Sequence, residues 1–232
     1  MQKKNKSIKQ TVTSEVDEGE TVPAEARAMH NRARTLGMAG ELDKAIELFL
    51  QATLFAPEWP QLYFDLGIAY VYKQENKKAL YCFKKVDELE PAGFLSTKAA
   101  LHTLDKEAKG GYTPGTFLAF ISAEAEEDPI RKKQILLKLL ERTPDFVPAW
   151  TEMVNLSESK REQLHYINLA LKYEADNETH GYLFIQKAIV LHNTDKRLEA
   201  IEILRNVAQA QISTERNRRQ ARMILESWQS AE

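Results

Sequence analysis

The sequence has little that punctuates a chain or closes a chemical site. Of its 232 residues one is cysteine, Cys82, nine are glycine and eight are proline. A lone cysteine excludes an internal disulfide framework and cannot by itself form a thiolate zinc site, so a reducing compartment is expected. Few breakers among many Ala, Leu, Lys and Glu favour helices over strands and turns. Charge of one sign is missing as well. The 32 basic and 34 acidic residues leave a formal charge of -2, which gives the whole chain no field suited to gripping nucleic acid or an acidic membrane. No apolar run approaches the roughly 20 residues that cross a bilayer. The opening MQKKNKSIKQ has the lysines of a signal-peptide n-region, but TVTSEVDEGE stands where an apolar segment would follow. A soluble, cytoplasmic protein is expected on these grounds. Residues 1–22, polar and without periodicity, read as a disordered tail.

Constellations that carry catalysis are missing too. Five histidines, His30, His102, His165, His180 and His192, lie far apart, and none stands in an HExxH or comparable ligand spacing. No metal or cofactor is therefore expected. Cys82 adjoins Phe83 in an apolar stripe, which points to a buried inert thiol in preference to a nucleophile. The segment GGYTPG lacks the lysine and the preceding strand of a phosphate loop and reads as a helix break. Glu124, Glu126, Glu127 and Asp128 straddle a helix start, where free amides and the helix dipole favour negative charge, so they read as helix-start residues and not as paired catalytic carboxylates. The chain reads as non-enzymatic.

What is present is a repeat. Met29 and Tyr63, Ala33 and Gly67, Leu36 and Tyr70, Ala45 and Ala79, Phe49 and Phe83, and Pro57 and Pro91 are each 34 positions apart. That period accommodates two antiparallel helices and two turns. Tyr63, Leu66, Gly67 and Tyr70 fall on one helix face, and Ala79, Phe83 and Val86 make the facing stripe of a second helix. Gly67 and Ala79 are small where the two backbones approach, and the aromatics fill the space around them. Pro91 and Pro57 cannot continue a helix, so each closes its unit.

Tyr63, Leu66, Gly67, Tyr70, Ala79, Phe83 and Pro91 resemble the tetratricopeptide repeat signature, with Tyr in place of the usual first Trp. The first unit is looser, with Arg32 where the family prefers Leu. Pro144 and Trp150 resemble a further unit boundary, and Phe184, Ala188, Leu191, Ala200, Leu204 and Val207 keep the internal spacings of the second unit. The resemblance implies an all-α fold of antiparallel helix pairs stacked as a right-handed solenoid. The expected organisation is two repeats plus a capping helix over 24–108, a Gly/Pro break at 109–115, and about three degenerate repeats plus a capping helix over 116–229. In that last stretch Asp128 and Pro129 are expected to open a helix as N-cap and first helical residue.

In the family, the first helix of each pair lines a concave face that holds a peptide or a partner helix. Carried onto this sequence, that face comprises Arg27, His30 and Arg34, then Gln61, Phe64, Ile68 and Tyr72, then Lys98 and His102. The helix over 62–72 is thus apolar nearly all round, with only Asp65 charged. Such a helix is normally buried on every side. Either neighbouring repeats cover Phe64 and Ile68, or part of the face is a groove for a peptide with an apolar anchor and an acidic neighbour. The Lys and Asn residues with which some relatives clamp chaperone tails correspond here to His30, Arg34 and Asp65, which argues against that ligand. The expected partner is another protein or peptide. The alternative reading is binding of nucleic acid or an anionic surface through Arg216, Arg218, Arg219 and Arg222 on the last helix, where a solvated cap would look the same.

Overall fold

The computed structural model describes residues 22–230 apart from positions 95 and 195. The tail expected over 1–22 therefore lies, except for Val22, outside the described residues. Twelve helices and no strand occur among these residues. Helices α1 (Ala24–Met38) and α2 (Leu42–Phe55) form the first antiparallel pair, and α3 (Pro60–Tyr72) and α4 (Asn76–Leu89) the second. Next come α5 (Thr97–Ala108), α6 (Thr116–Glu124) and α7 (Pro129–Arg142). The chain finishes with α8 (Val147–Asn155), α9 (Lys160–Ala170), α10 (Asn177–His192), α11 (Arg197–Gln209) and α12 (Glu215–Gln229). The helices α6/α7, α8/α9 and α10/α11 are again paired, and α12 packs on the last pair.

The 34-residue period is present in the backbone itself. The α1–α2 turn is closed by Glu41 N donating to Leu36 O and the α3–α4 turn by Glu75 N donating to Tyr70 O, both at 2.9 Å. At the same place in each turn Gly40 has φ 81° and Gln74 has φ 59°. Only glycine adopts that left-handed geometry without strain, so the second turn keeps its shape against the preference of its own side chain.

Packing explains why the small residues stand where they do. A Cβ added at Gly67 would lie 3.0 Å from the Phe83 ring and 3.3 Å from Cys82, so a larger residue there would force α3 and α4 to shift by a few tenths of an ångström. The Phe83 ring in turn meets Phe64 edge-on at 5.6 Å and Phe117 at 6.1 Å between centroids. From there Phe117, Phe120, Phe146 and Tyr112 follow ring upon ring, at 6.5, 5.3 and 5.7 Å. This aromatic spine runs from α3 and α4 through α6 to the start of α8.

The Gly/Pro segment is a turn whose residues are exposed except for Tyr112, and buried residues on both sides of it, among them Phe83, Phe117 and Met153, share the first hydrophobic cluster. Two contacts fix the turn. The Tyr112 hydroxyl donates to Asp145 O at 3.1 Å. Buried Glu107 accepts from Gly115 N at 3.0 Å and from Phe117 N at 2.7 Å, capping α6 from the preceding helix where Gly115 has no side chain to do so. The start of α7 follows the sequence, with Asp128 accepting from Ile130 N at 2.9 Å and Pro129 in the first turn.

The end of the chain folds back on its middle. Helix α5 joins the first core through Ala100 and Leu104 and also packs against α10. Arg216 N donates to Ala92 O at 3.0 Å, and the Arg216 guanidinium lies 3.3 Å from Glu178. Gly181 lets this happen, because any side chain there would collide with Asn217, which donates to Glu178 O at 2.8 Å. Burial pushes the Glu178 carboxyl up to about 7, with Asp176 adding to the rise and Arg216 and Lys98 opposing it.

Gly67→Ala should therefore destabilise the protein by about 1–2 kcal/mol in chemical denaturation, because overpacking against the fully buried Phe83 ring outweighs the gain in helix propensity of about 1 kcal/mol. For Glu178 the raised carboxyl sets the sign of a pH effect. An unfolded glutamate loses its proton near pH 4.3 while the folded one keeps it to about 7, so stability falls across that window and then levels. Glu178→Gln should raise the melting temperature at pH 8 and leave it nearly unchanged at pH 4. An equal shift at both pH values would contradict this.

Candidate functional site

The face inferred from the first helices of the pairs is partly assembled and partly dispersed. His30 is buried: its Nε2 donates to Asp65 Oδ2 at 2.7 Å, and its ring lies 4.6 Å from Trp59 and 5.6 Å from Phe49. It is thus a packing residue that ties α1 to α3 and cannot line a groove. Asp65 is the pivot, since Arg34 Nε lies 3.8 Å from the same carboxylate oxygen. A charged residue survives on this otherwise apolar helix because two cationic or hydrogen-bonding partners from α1 satisfy it.

Phe64 and Ile68 pack against the first core. Phe64 is held edge-on between Phe83 and Phe94, the latter at 6.2 Å, so the chain itself supplies the neighbour that covers this ring. Tyr72, at the end of α3, is 37% exposed. Gln61 and Arg27 are half-buried, and the Arg34 side chain is 59% exposed. Arg27, Arg34, Gln61, Ile68 and Tyr72 thus remain together on α1 and α3.

Lys98 and His102 belong elsewhere. They line an open cleft of about 820 Å³ with Glu174, Asp176 and Arg218, and no α1 or α3 residue reaches it. Lys98 is ion-paired with Asp87. The dispersion has a simple cause: α5 leaves the line of α1 and α3 to pack on α10.

The arginines of α12 are largely committed to the fold. Arg216 holds Glu178, Arg222 bonds Glu215 at 2.6 Å, and Arg218 bonds Glu215 at 2.9 Å and Ser213 O at 2.9 Å. A phosphate at Arg216, Arg218 or Arg222 would have to displace these partners, whereas Arg219 is exposed. Among the described residues no group of three or more His, Cys, Asp or Glu could hold a metal ion, and no helix is long and apolar enough to cross a membrane.

A second recess, between α2 and α4 on the other side of α3, was not visible in the repeat signature. It encloses about 390 Å³ over Tyr63, Leu66 and Tyr70, with Leu50 and Tyr81 on its walls and Lys77 and Lys78 at its rim. The signal available in the sequence was Leu50 and Leu54, spaced i, i+4 and off the stripe of Ala45, Phe49 and Ala52.

No protein-family model matches the sequence. Among solved structures the chain is similar to YrrB, described as a TPR protein with an unusual peptide-binding site, at 19% identity over 78% of this chain and 83% of that one, with a TM-score of 0.35. It is also similar to MamA, residues 41 to the end, from Desulfovibrio magneticus RS-1, at 13% identity over 90% of this chain and 98% of that one, with a TM-score of 0.39. The fold defines the class, a helical-repeat protein whose first two units resemble tetratricopeptide repeats in period, turn geometry and the residues at each close approach.

Cys82 bears on none of these surfaces as a nucleophile, since burial pushes its thiol up to about 12. Iodoacetamide should leave the native protein unmodified at pH 8 and alkylate it fully in denaturant, as read by intact mass. Rapid modification of the native form would overturn that assignment.

Proposed function

We propose that this protein is a non-catalytic scaffold that holds a segment of another protein along the face shared by α1 and α3. Arg34, with Arg27 beside it, meets a carboxylate of the bound segment, and Tyr72 and the edge of Ile68 receive an apolar side chain. The observation that carries this reading is the contrast within one face. His30, Phe64 and Asp65 are locked by the core or by each other, while Arg34 and Tyr72 stay open to solvent. The near-neutral chain and the commitment of the α12 arginines favour a protein partner over nucleic acid.

Phe64 is too deeply engaged to serve as a probe, because its loss would open the core. The test is affinity capture with wild type, Arg34→Glu and Tyr72→Ala, followed by mass spectrometry, with helical content checked by circular dichroism. A protein held by wild type and lost from both folded variants is the expected result. Identical sets of captured proteins from all three would sink the proposal.

A further inference from the structure

The recess between α2 and α4 has the character of a docking surface and not of a packing defect. Repeat units bury one stripe per helix, yet here apolar side chains stand outside the stripe on both walls. Leu50 is 46% exposed, Leu54 81% and Tyr81 68%. Leu50 and Leu54 form a ridge along α2, which extends the apolar surface beyond the recess itself. Exposed apolar surface of this kind marks interaction sites, and aromatic residues in a recess are the usual anchors of an interface. At about 390 Å³ the recess has room for bulky side chains, since sites enclosing a drug-sized ligand run from about 300 to 1,000 Å³.

The charge and hydrogen-bonding groups select among occupants. Lys77 and Lys78 stand at the rim, and none of the lining residues is acidic. Lys78 pairs with Glu75 at 2.5 Å and sits 5.2 Å over the Tyr70 ring. Lys77 is exposed and has no hydrogen bond or ion pair among the described residues. The phenols of Tyr63 and Tyr70 are raised above their ordinary range, first by burial, and neither they nor the Tyr81 hydroxyl have a protein partner among the described residues. Apolar walls on α2 and α4, a free ammonium at the edge and unused hydroxyls within fit one occupant.

We infer that the groove between α2 and α4 docks an amphipathic helix of another protein whose apolar stripe is bordered by Asp or Glu. The stripe enters between the Leu50–Leu54 ridge and Tyr81, and the carboxylates meet Lys77 and the tyrosine hydroxyls. This surface uses Tyr63, Leu66 and Tyr70 on one side of α3, whereas the face of the proposed function uses Ile68 and Tyr72 on another, so the two fail independently.

The experiment is fluorescence anisotropy with short labelled amphipathic helical peptides that share a Leu stripe and differ only in Glu or Lys borders. Wild type should bind the Glu-bordered peptide saturably and leave the Lys-bordered one free. Tyr81→Ser and Lys77→Glu, both at exposed positions, should each weaken binding by about tenfold, and Arg34→Glu should leave it unchanged. Equal binding of both peptides, no saturable binding, or unaltered affinity in the two groove variants would overturn the inference. So would sedimentation showing that the groove variants abolish a dimer of this chain, or binding to phosphatidylserine vesicles in place of the peptide.

Discussion

The backbone of α3 passes so close to the Phe83 ring that a Cβ at position 67 would lie 3.0 Å from it, and this close approach sets where Phe83 meets its aromatic neighbours. With α3 and α4 drawn together, Phe83 reaches both Phe64 and Phe117, and from Phe117 the rings continue to Phe120, Phe146 and Tyr112. The edge-to-face pairs among these, all but the tilted Phe117–Phe120, add about 0.5–1.5 kcal/mol each beyond their buried area. In a stack of helix pairs, where each unit is stabilised mainly by its neighbours, a spine that crosses four helices couples units that local contacts alone would leave nearly independent.

Polar groups then decide how the later helices sit on that core. Glu107 caps α6 from the neighbouring helix, so the break at Gly110 to Gly115 is a defined turn. Asp65 joins α1 to α3 by holding His30 and Arg34. Glu178 and Arg216, with the backbone of Ala92, bring the end of the chain against the connection between α4 and α5. Asp65 and Glu107 are largely withdrawn from water, and each is retained because specific donors face it. A buried pair contributes more to which arrangement forms than to how stable it is.

Two surfaces with different chemistry result. On α1 and α3 the fold immobilises the centre of a face and leaves a cation and a tyrosine at its edge. Between α2 and α4 it leaves apolar walls open under a lysine rim. Both are built from the two most regular repeats, whose rigidity is what allows side chains outside the core stripes to be spent on recognition.

The sequence by itself determined the helix-pair architecture, the period of 34, the unit ends at Pro57 and Pro91, the cap at Asp128 and Pro129, and the burial of Cys82. These are legible because apolar periodicity and backbone punctuation act locally, within one or two turns of helix. Tertiary structure alone decided that His30 is a core residue, that Phe94 covers Phe64, that Lys98 and His102 belong to a separate cleft, and that residues on both sides of the Gly/Pro turn share one hydrophobic cluster. Periodicity reports which face of a helix is apolar and says nothing of which neighbour covers it. That depends on long-range partners such as Asp65, Phe94 and Glu178, whose pairing no local pattern records.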